Sequence, residues 1–175
     1  MTARSYPEDV ELADGRAIRV RPIAAGDAEA LRTGFAHLSD EARYRRFLTP
    51  TEHLTEQQIA YFVDVDHHDH EALVALRADT GEGVAVARYI RSPDARDHAE
   101  IAAVVLDDWQ GAGIGTLLCE RLAERARAEG IRYASGLMLA GNDEMLGILR
   151  RLGPEVSRER GTGALDVVVD LSPGG

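Results

Sequence analysis

The segment Asp107–Gly130, DDWQGAGIGTLLCERLAERARAEG, sets three glycines in five positions, Gly111, Gly113 and Gly115. An amphipathic, charge-rich stretch with helical spacing follows directly. Ahead of the glycines runs AEIAAVVL (Ala99–Leu106), whose long apolar run reads as a strand buried on both faces. Strand, bare backbone and helix in that order leave few folds open. Successive N–H groups at a glycine-rich turn can converge into an anion nest. The first helical turn adds more unpaired N–H groups and the positive end of its dipole. Together they suit phosphate or pyrophosphate, and any side chain there would hold the ligand off the backbone. A ligand-free strand-to-helix turn would need only one glycine.

Two common nucleotide motifs fail on spacing. A P-loop ends in Gly-Lys-Ser/Thr, and Gly115-Thr116 lacks the lysine. A dinucleotide fingerprint needs G-x-G-x-x-G, and position 116 is threonine, so the third glycine comes one residue early.

Around this segment the chain reads as a mixed α/β sheet. GRAIRVRPI (Gly15–Ile23) alternates as a strand ended by proline. Asp27 is placed to cap a helix running to about His37, and Ser39 to start a second with acids in its first turn. Thr55 and Gln58 have capping-box spacing. ALVALRA and GVAVARYIR, joined by DTGEG, predict a hairpin. The helix after the glycines carries Leu117, Leu118, Leu122 and Ala126 inward and ends at Gly130. IRYASGLML is a strand. Asn142 heads a helix with Met145, Leu146, Leu149 and Leu152 as its stripe, stopped by Gly153–Pro154, and ALDVVVDL is the last strand. The order reads strand, two helices, three strands, helix, strand, helix, strand. The front half is antiparallel, and the strand–helix–strand unit around Gly111–Gly115 is expected to be a right-handed parallel crossover.

The 175 residues suggest one domain spanning 1–175, with an ordered core over about 8–171. Met1–Pro7 and Ser172–Gly175 read as frayed ends. Hydrophobic residues make up 45%, which argues against disorder. A net charge of −10 disfavours nucleic acid. It suits a cationic substrate, or serves solubility alone. Cys119 is the only cysteine, so no internal disulfide forms. With no apolar leader and no apolar run of membrane-spanning length, a cytoplasmic protein with no membrane partner is expected.

Gln110-Gly111-Ala112-Gly113-Ile114-Gly115 resembles the Q/R-x-x-G-x-G signature of the GCN5-related N-acetyltransferases, the GNAT superfamily. The context agrees: a long apolar strand before it, an amphipathic helix opened by it, then a strand and Asn142 at the head of a second helix. The element order is similar from roughly Val10 to Leu171. LSDEARYRRFLTP (Leu38–Pro50) resembles the early helical segment of bacterial Pat-type protein-lysine acetyltransferases.

The resemblance implies a GNAT fold, acetyl-CoA as acyl donor and no metal. It assigns Gln110, Gly111, Ala112, Gly113, Ile114, Gly115 and Thr116 to the pyrophosphate of coenzyme A. Val104, Val105 and Leu106 would run beside the pantetheine arm, whose amides pair with backbone like an added strand. A backbone N–H there would polarise the thioester carbonyl. Asn142 is either a cofactor contact or a plain N-cap. Glu100, four residues before Val104, matches the superfamily's general base, which takes the proton an ammonium must lose before attack. Many relatives carry a tyrosine as general acid to the thiolate; the matching position here is Leu149, so solvent or another residue would protonate it.

Direct transfer to a primary amine follows, either a protein lysine or a small amine such as a polyamine, by a monomer or homodimer. A non-catalytic coenzyme A sensor is the reading from another class. The polar run Asp64–Glu71, with His67, His68 and His70, reads as a solvated loop rather than a metal site. Cys119 reads as packing, and Trp109 as packing or a neighbour of the adenine.

Overall fold

The computed structural model describes residues 5–172. One eight-stranded sheet runs through it in the order β1-β2-β3-β4-β5-β6-β8-β7. Its strands are β1 (Glu8–Glu11), β2 (Ala17–Pro22), β3 (His70–Arg77), β4 (Gly83–Arg91), β5 (His98–Val105), β6 (Tyr133–Leu139), β7 (Glu155–Arg160) and β8 (Ala164–Asp170). Every pairing is antiparallel except β5 with β6. α1 (Ala28–Ala36), α2 (Asp40–Phe47) and α3 (Glu56–Val63) cover one face. α4 (Ile114–Ala128) and α5 (Asp143–Leu152) cover the other.

The caps hold where the sequence placed them, with one exception. Ser39 accepts from the Ala42 N–H, and Thr55 with Gln58 closes a capping box, so three helices, not two, precede β3. Asp27 does not cap α1 with its side chain. Its carboxylate grips Arg21 at 2.7 Å through both oxygens and accepts from the Ala24 N–H. The stripe of α5 includes Ile148, buried beside Leu149 and Leu152.

Two strands carry no sequence signal. β1 is Glu-Asp-Val-Glu and β7 is Glu-Val-Ser-Arg-Glu-Arg. They form the two edges of the sheet, where main-chain pairing holds a strand that buries little. Of the ends expected to fray, 1–4 and 173–175 lie outside the described residues. Tyr6 packs against the core, with the Arg125 guanidinium 5.7 Å from its ring centre.

The His-rich loop folds around one side chain. Asp66 Oδ1 accepts from the N–H groups of His68, Asp69 and His70. Among the described residues no three His, Cys, Asp or Glu side chains group as a metal would need, and no helix is long and apolar enough to cross a membrane.

Candidate active site

The site begins where the parallel pair ends. β5 and β6 share three register pairs, His98–Tyr133, Ala99–Ala134 and Glu100–Ser135. Past Glu100, β5 continues to Val105 against β4 alone. Antiparallel alternation then decides which backbone groups stay open. Leu106 N–H donates to Val84 O and Ser92 N–H to His98 O, both at 2.9 Å. The even-numbered residues of β5 therefore turn N–H and C=O toward β4, and the odd-numbered ones turn away from it. Ala103 and Val105 face the gap left by β6. Of the three residues expected beside the pantetheine arm, only Val105 turns its backbone to the gap. Val104 and Leu106 face β4, and their side chains pack under α1–α3.

The gap is a cleft of about 90 Å³, lined by β5, Leu137 and Met138 of β6, Asn142, Met145 and Ile148 at α5, and Arg45 and Arg46 of α2. It explains why β5 is not buried on both faces. Glu100 is exposed and Ala102 through Val105 are half-buried, because the apolar run lines an opening instead of a closed core.

The glycines stand at one end of the cleft and do different jobs. Gly111 (φ 76°) and Gly113 (φ 82°) adopt left-handed backbone, which disfavours other residues. A Cβ at either would meet nothing within 4 Å, so the space before them is open. Gly115 is buried, and a Cβ there would come 3.4 Å from Ile148 and 3.6 Å from Val105. Those are ordinary van der Waals distances, so an alanine would fit between α4, β5 and α5.

Gly113 occupies the N-cap of α4 and has no side chain to cap it. Leu117 N–H is the first to find a helical carbonyl, that of Gly113 at 3.0 Å. The N–H groups of Gly111, Ala112, Gly113, Ile114, Gly115 and Thr116 have no partner among the described residues. That run of donors at a helix N-terminus fits a pyrophosphate. Gln110 is exposed, and its Nε2 donates to Val105 O at 3.1 Å, tying the loop to the end of β5. Trp109 is half-buried beneath the Arg16 guanidinium, 4.1 Å from its ring centre. Asn142 Oδ1 caps α5 by accepting from the Met145 N–H at 3.1 Å while the residue lines the cleft.

Glu100 stands at the fork, on the α1–α3 side. Side chains alternate across β5: Ala99, Ile101 and Ala103 enter the core under α4, and Val104 and Leu106 enter the cluster under α1–α3. Glu100 shares the second face, and its charge acts on Arg46 of α2.

No tyrosine lines the cleft among the described residues. Leu149 is fully buried, and a Cβ on Gly136 of β6 would come 2.6 Å from its Cδ1. Tyr89 is buried and donates to His68 O at 3.0 Å. Cys119 is fully buried, and burial pushes its thiol up to about 12.

Sequence reasoning passed over Arg46 and Arg88. Both carried a readable signal, since Arg88 interrupts the apolar strand GVAVARYIR and Arg46 sits beside Phe47 on α2.

With this geometry stand the likenesses to known proteins. A family model described as "Acetyltransferase (GNAT) domain" matches residues 17–155. The Acetyltransferase Pat of Mycolicibacterium smegmatis is 34% identical over 170 residues, covering 95% of this chain and 50% of that protein. The chain thus spans about half the length of that relative. Acetyltransferase PA5475 of Pseudomonas aeruginosa is 31% identical over 144 residues, 81% of this chain and 77% of that protein. The crystal structure of the GNAT domain of S. lividans PAT superposes with a TM-score of 0.84 at 34% identity, covering 94% of this chain and 96% of that one. The yncA acetyltransferase of Salmonella typhimurium, solved with its cofactor acetyl-CoA, shares the fold with a TM-score of 0.71 at 16% identity, covering 90% of this chain and 95% of that one. The forked parallel pair, the uncapped glycine turn and these likenesses agree, and the chain belongs to the GNAT acetyltransferase family.

Proposed function

We propose that the chain transfers an acetyl group from acetyl-CoA to a primary amine, with Glu100 as general base. One observation carries the reading: the cleft reaches Gly115 in the glycine turn, whose N–H groups from Gly111 to Thr116 are unpaired among the described residues, and Glu100 stands at the fork of β5 and β6 beside the lining residues Ile101 and Ala102. Bound acetyl-CoA supplies an activated acetyl thioester. The N–H run holds its pyrophosphate, and the open backbone of Ala103 and Val105 takes the arm as a sheet edge takes a strand. Glu100, exposed, accepts the ammonium proton directly or through water and passes it to solvent.

Two acceptors fit. The likeness to Pat supports a protein lysine. A cavity beside the fork, lined by the buried Arg88 and the half-buried Arg46, favours a small amine that carries its own anionic group.

Glu100→Gln tests the chemistry, because it keeps the shape and removes the base. Turnover of the best amine is expected to fall by roughly 10²–10⁴-fold, with acetyl-CoA affinity unchanged. If neither protein turns over any lysine peptide or small amine while both bind acetyl-CoA, the chain is a coenzyme A sensor.

A further inference from the structure

Beneath α1–α3, on the face of the sheet that carries Glu100, lies a cavity of about 80 Å³. Its walls are mostly apolar, with Phe35, Leu54 and Phe62 among them, and two of its lining residues are Arg46 and Arg88. Arg88 is 4% exposed. Its Nη1 donates to Phe62 O at 3.1 Å and to His70 Nε2 at 2.8 Å, and its guanidinium lies 4.4 Å from the Phe62 ring centre. Both polar partners are neutral: one is a carbonyl, and burial followed by the Arg88 charge pushes His70 down to about 4. Its Nε and Nη2 have no partner among the described residues. Arg46 is half-buried over Phe47, 4.9 Å from the ring centre, and pairs with no carboxylate among the described residues.

Two guanidinium groups enclosed together without an anion are costly. Each loses hydration, and each repels the other. Burial first and Arg46 second pull Arg88 down to about 9. The one carboxylate on the cavity wall, Asp27, is already gripped by Arg21 and by the Ala24 N–H. An anion entering the cavity would relieve this. Arg46 and Val104 border both the cavity and the cleft, so the two spaces adjoin. Glu100 acts electrostatically on Arg46, which sets the place for an ammonium close to the place for an anion.

We propose that this cavity is the acceptor's specificity pocket, in which Arg88 and Arg46 take the carboxylate of a small amino-acid-like molecule while its amine lies at Glu100. The amine's placement rests on the transferase reading; the carboxylate's does not. A planar guanidinium can take a carboxylate by two parallel N–H···O bonds, and the apolar walls take a short side chain. A lysine within a protein has no free carboxylate near its amine and fills neither charge.

Two measurements test this. Thermal unfolding is followed with 4-methylpentanoate and with 4-methylpentanamide, which differ only at the carboxyl group. The carboxylate alone is expected to raise Tm, and Arg46→Met and Arg88→Met are each expected to abolish the shift. Acetylation of leucine, methionine and phenylalanine is then compared with that of their amides and of a lysine peptide. At least one free amino acid is expected to exceed its amide by about 30-fold or more in kcat/KM. Arg88→Met should narrow that ratio to within about threefold while leaving acetyl-CoA affinity unchanged. Equal shifts, or none, with both probes, or lysine peptide and amides used as well as the amino acids, would overturn the pocket and leave the transferase standing. A carboxylate-only shift lost in both variants, with no amine turned over, would keep the pocket and remove the transferase.

Discussion

Glu100 of β5 and Ser135 of β6 are the last register partners of the one parallel pair, and the cleft opens directly beyond them. One strand thereby has two unlike sides. Its even-numbered residues are hydrogen-bonded to β4, and Ala103 and Val105, past the fork, meet no strand. Neighbouring prolines read this difference. Ala103→Pro removes an N–H that faces the cleft, so the fold is expected to persist, as proline does at a sheet edge, with acetyl-CoA bound about tenfold more weakly. Ala102→Pro removes an N–H directed at β4 and is expected to cost about 3 kcal/mol or more. Circular dichroism melts and calorimetric titration of both variants check the pair; equal effects would refute the alternation.

The glycine turn is expected to bind acetyl-CoA in the micromolar range, about −8 kcal/mol. Gly113→Glu sets a carboxylate before the unpaired N–H groups and strains a residue at φ 82° by roughly 1–2 kcal/mol. Calorimetry should find binding lost while the protein still melts cooperatively. Binding equal to the wild type would reduce the three glycines to a turn.

Glu71 is fully buried on β3, two strands across the sheet from β5 and outside the cleft lining. Its carboxylate accepts from Arg125 Nε at 2.6 Å and the Ala72 N–H at 2.9 Å, and meets His67 Nδ1 at 2.8 Å. Glu71→Ala leaves the Arg125 charge against the sheet without its partner. A loss of about 3–5 kcal/mol in urea unfolding is expected, with acetyl-CoA affinity of the remaining folded protein unchanged.

His70 makes stability depend on pH. Burial and Arg88 hold its folded value near 4, against 6.5 for the free side chain. The unfolded chain therefore binds the proton more readily. The contribution is complete above pH 6.5 and is lost as pH falls from 6.5 through 4, by on the order of 3 kcal/mol. His70→Gln keeps an acceptor for Arg88 and cannot titrate. Its urea-unfolding stability should fall less steeply than the wild type's over that window, and parallel curves would refute the assignment.

What the sequence made legible was whatever obeys local rules. The Ser39 cap, the Thr55–Gln58 box, the hairpin around Gly81 and the strand–glycine–helix unit each follow from neighbours in the chain. Glu100 is proposed as base from its spacing to Val104, and the fork where it stands is a relation between two strands that no single segment records. The apolar run of β5 suggested two buried faces because hydrophobicity cannot tell a core from a lined opening. β1 and β7 were missed because pairing with β2 and β8, rather than burial, makes them strands. Asp27 reads as a cap because its rival partner, Arg21, lies on another element.

In the proposed site the cofactor end of the cleft is made largely of main-chain atoms, and this decides what substitution can reach. An exchange of side chain at Ala103, Val105 or Thr116 leaves the amide and carbonyl in place. Only a proline, which removes the N–H, or a change that bends the chain, as at Gly111 or Gly113, can erase a contact there. The proposed acceptor side is instead made of the side chains of Arg46, Arg88 and Glu100, any of which one codon can replace. A lineage built on this fold can therefore exchange the molecule it modifies many times over while its acyl donor stays the same.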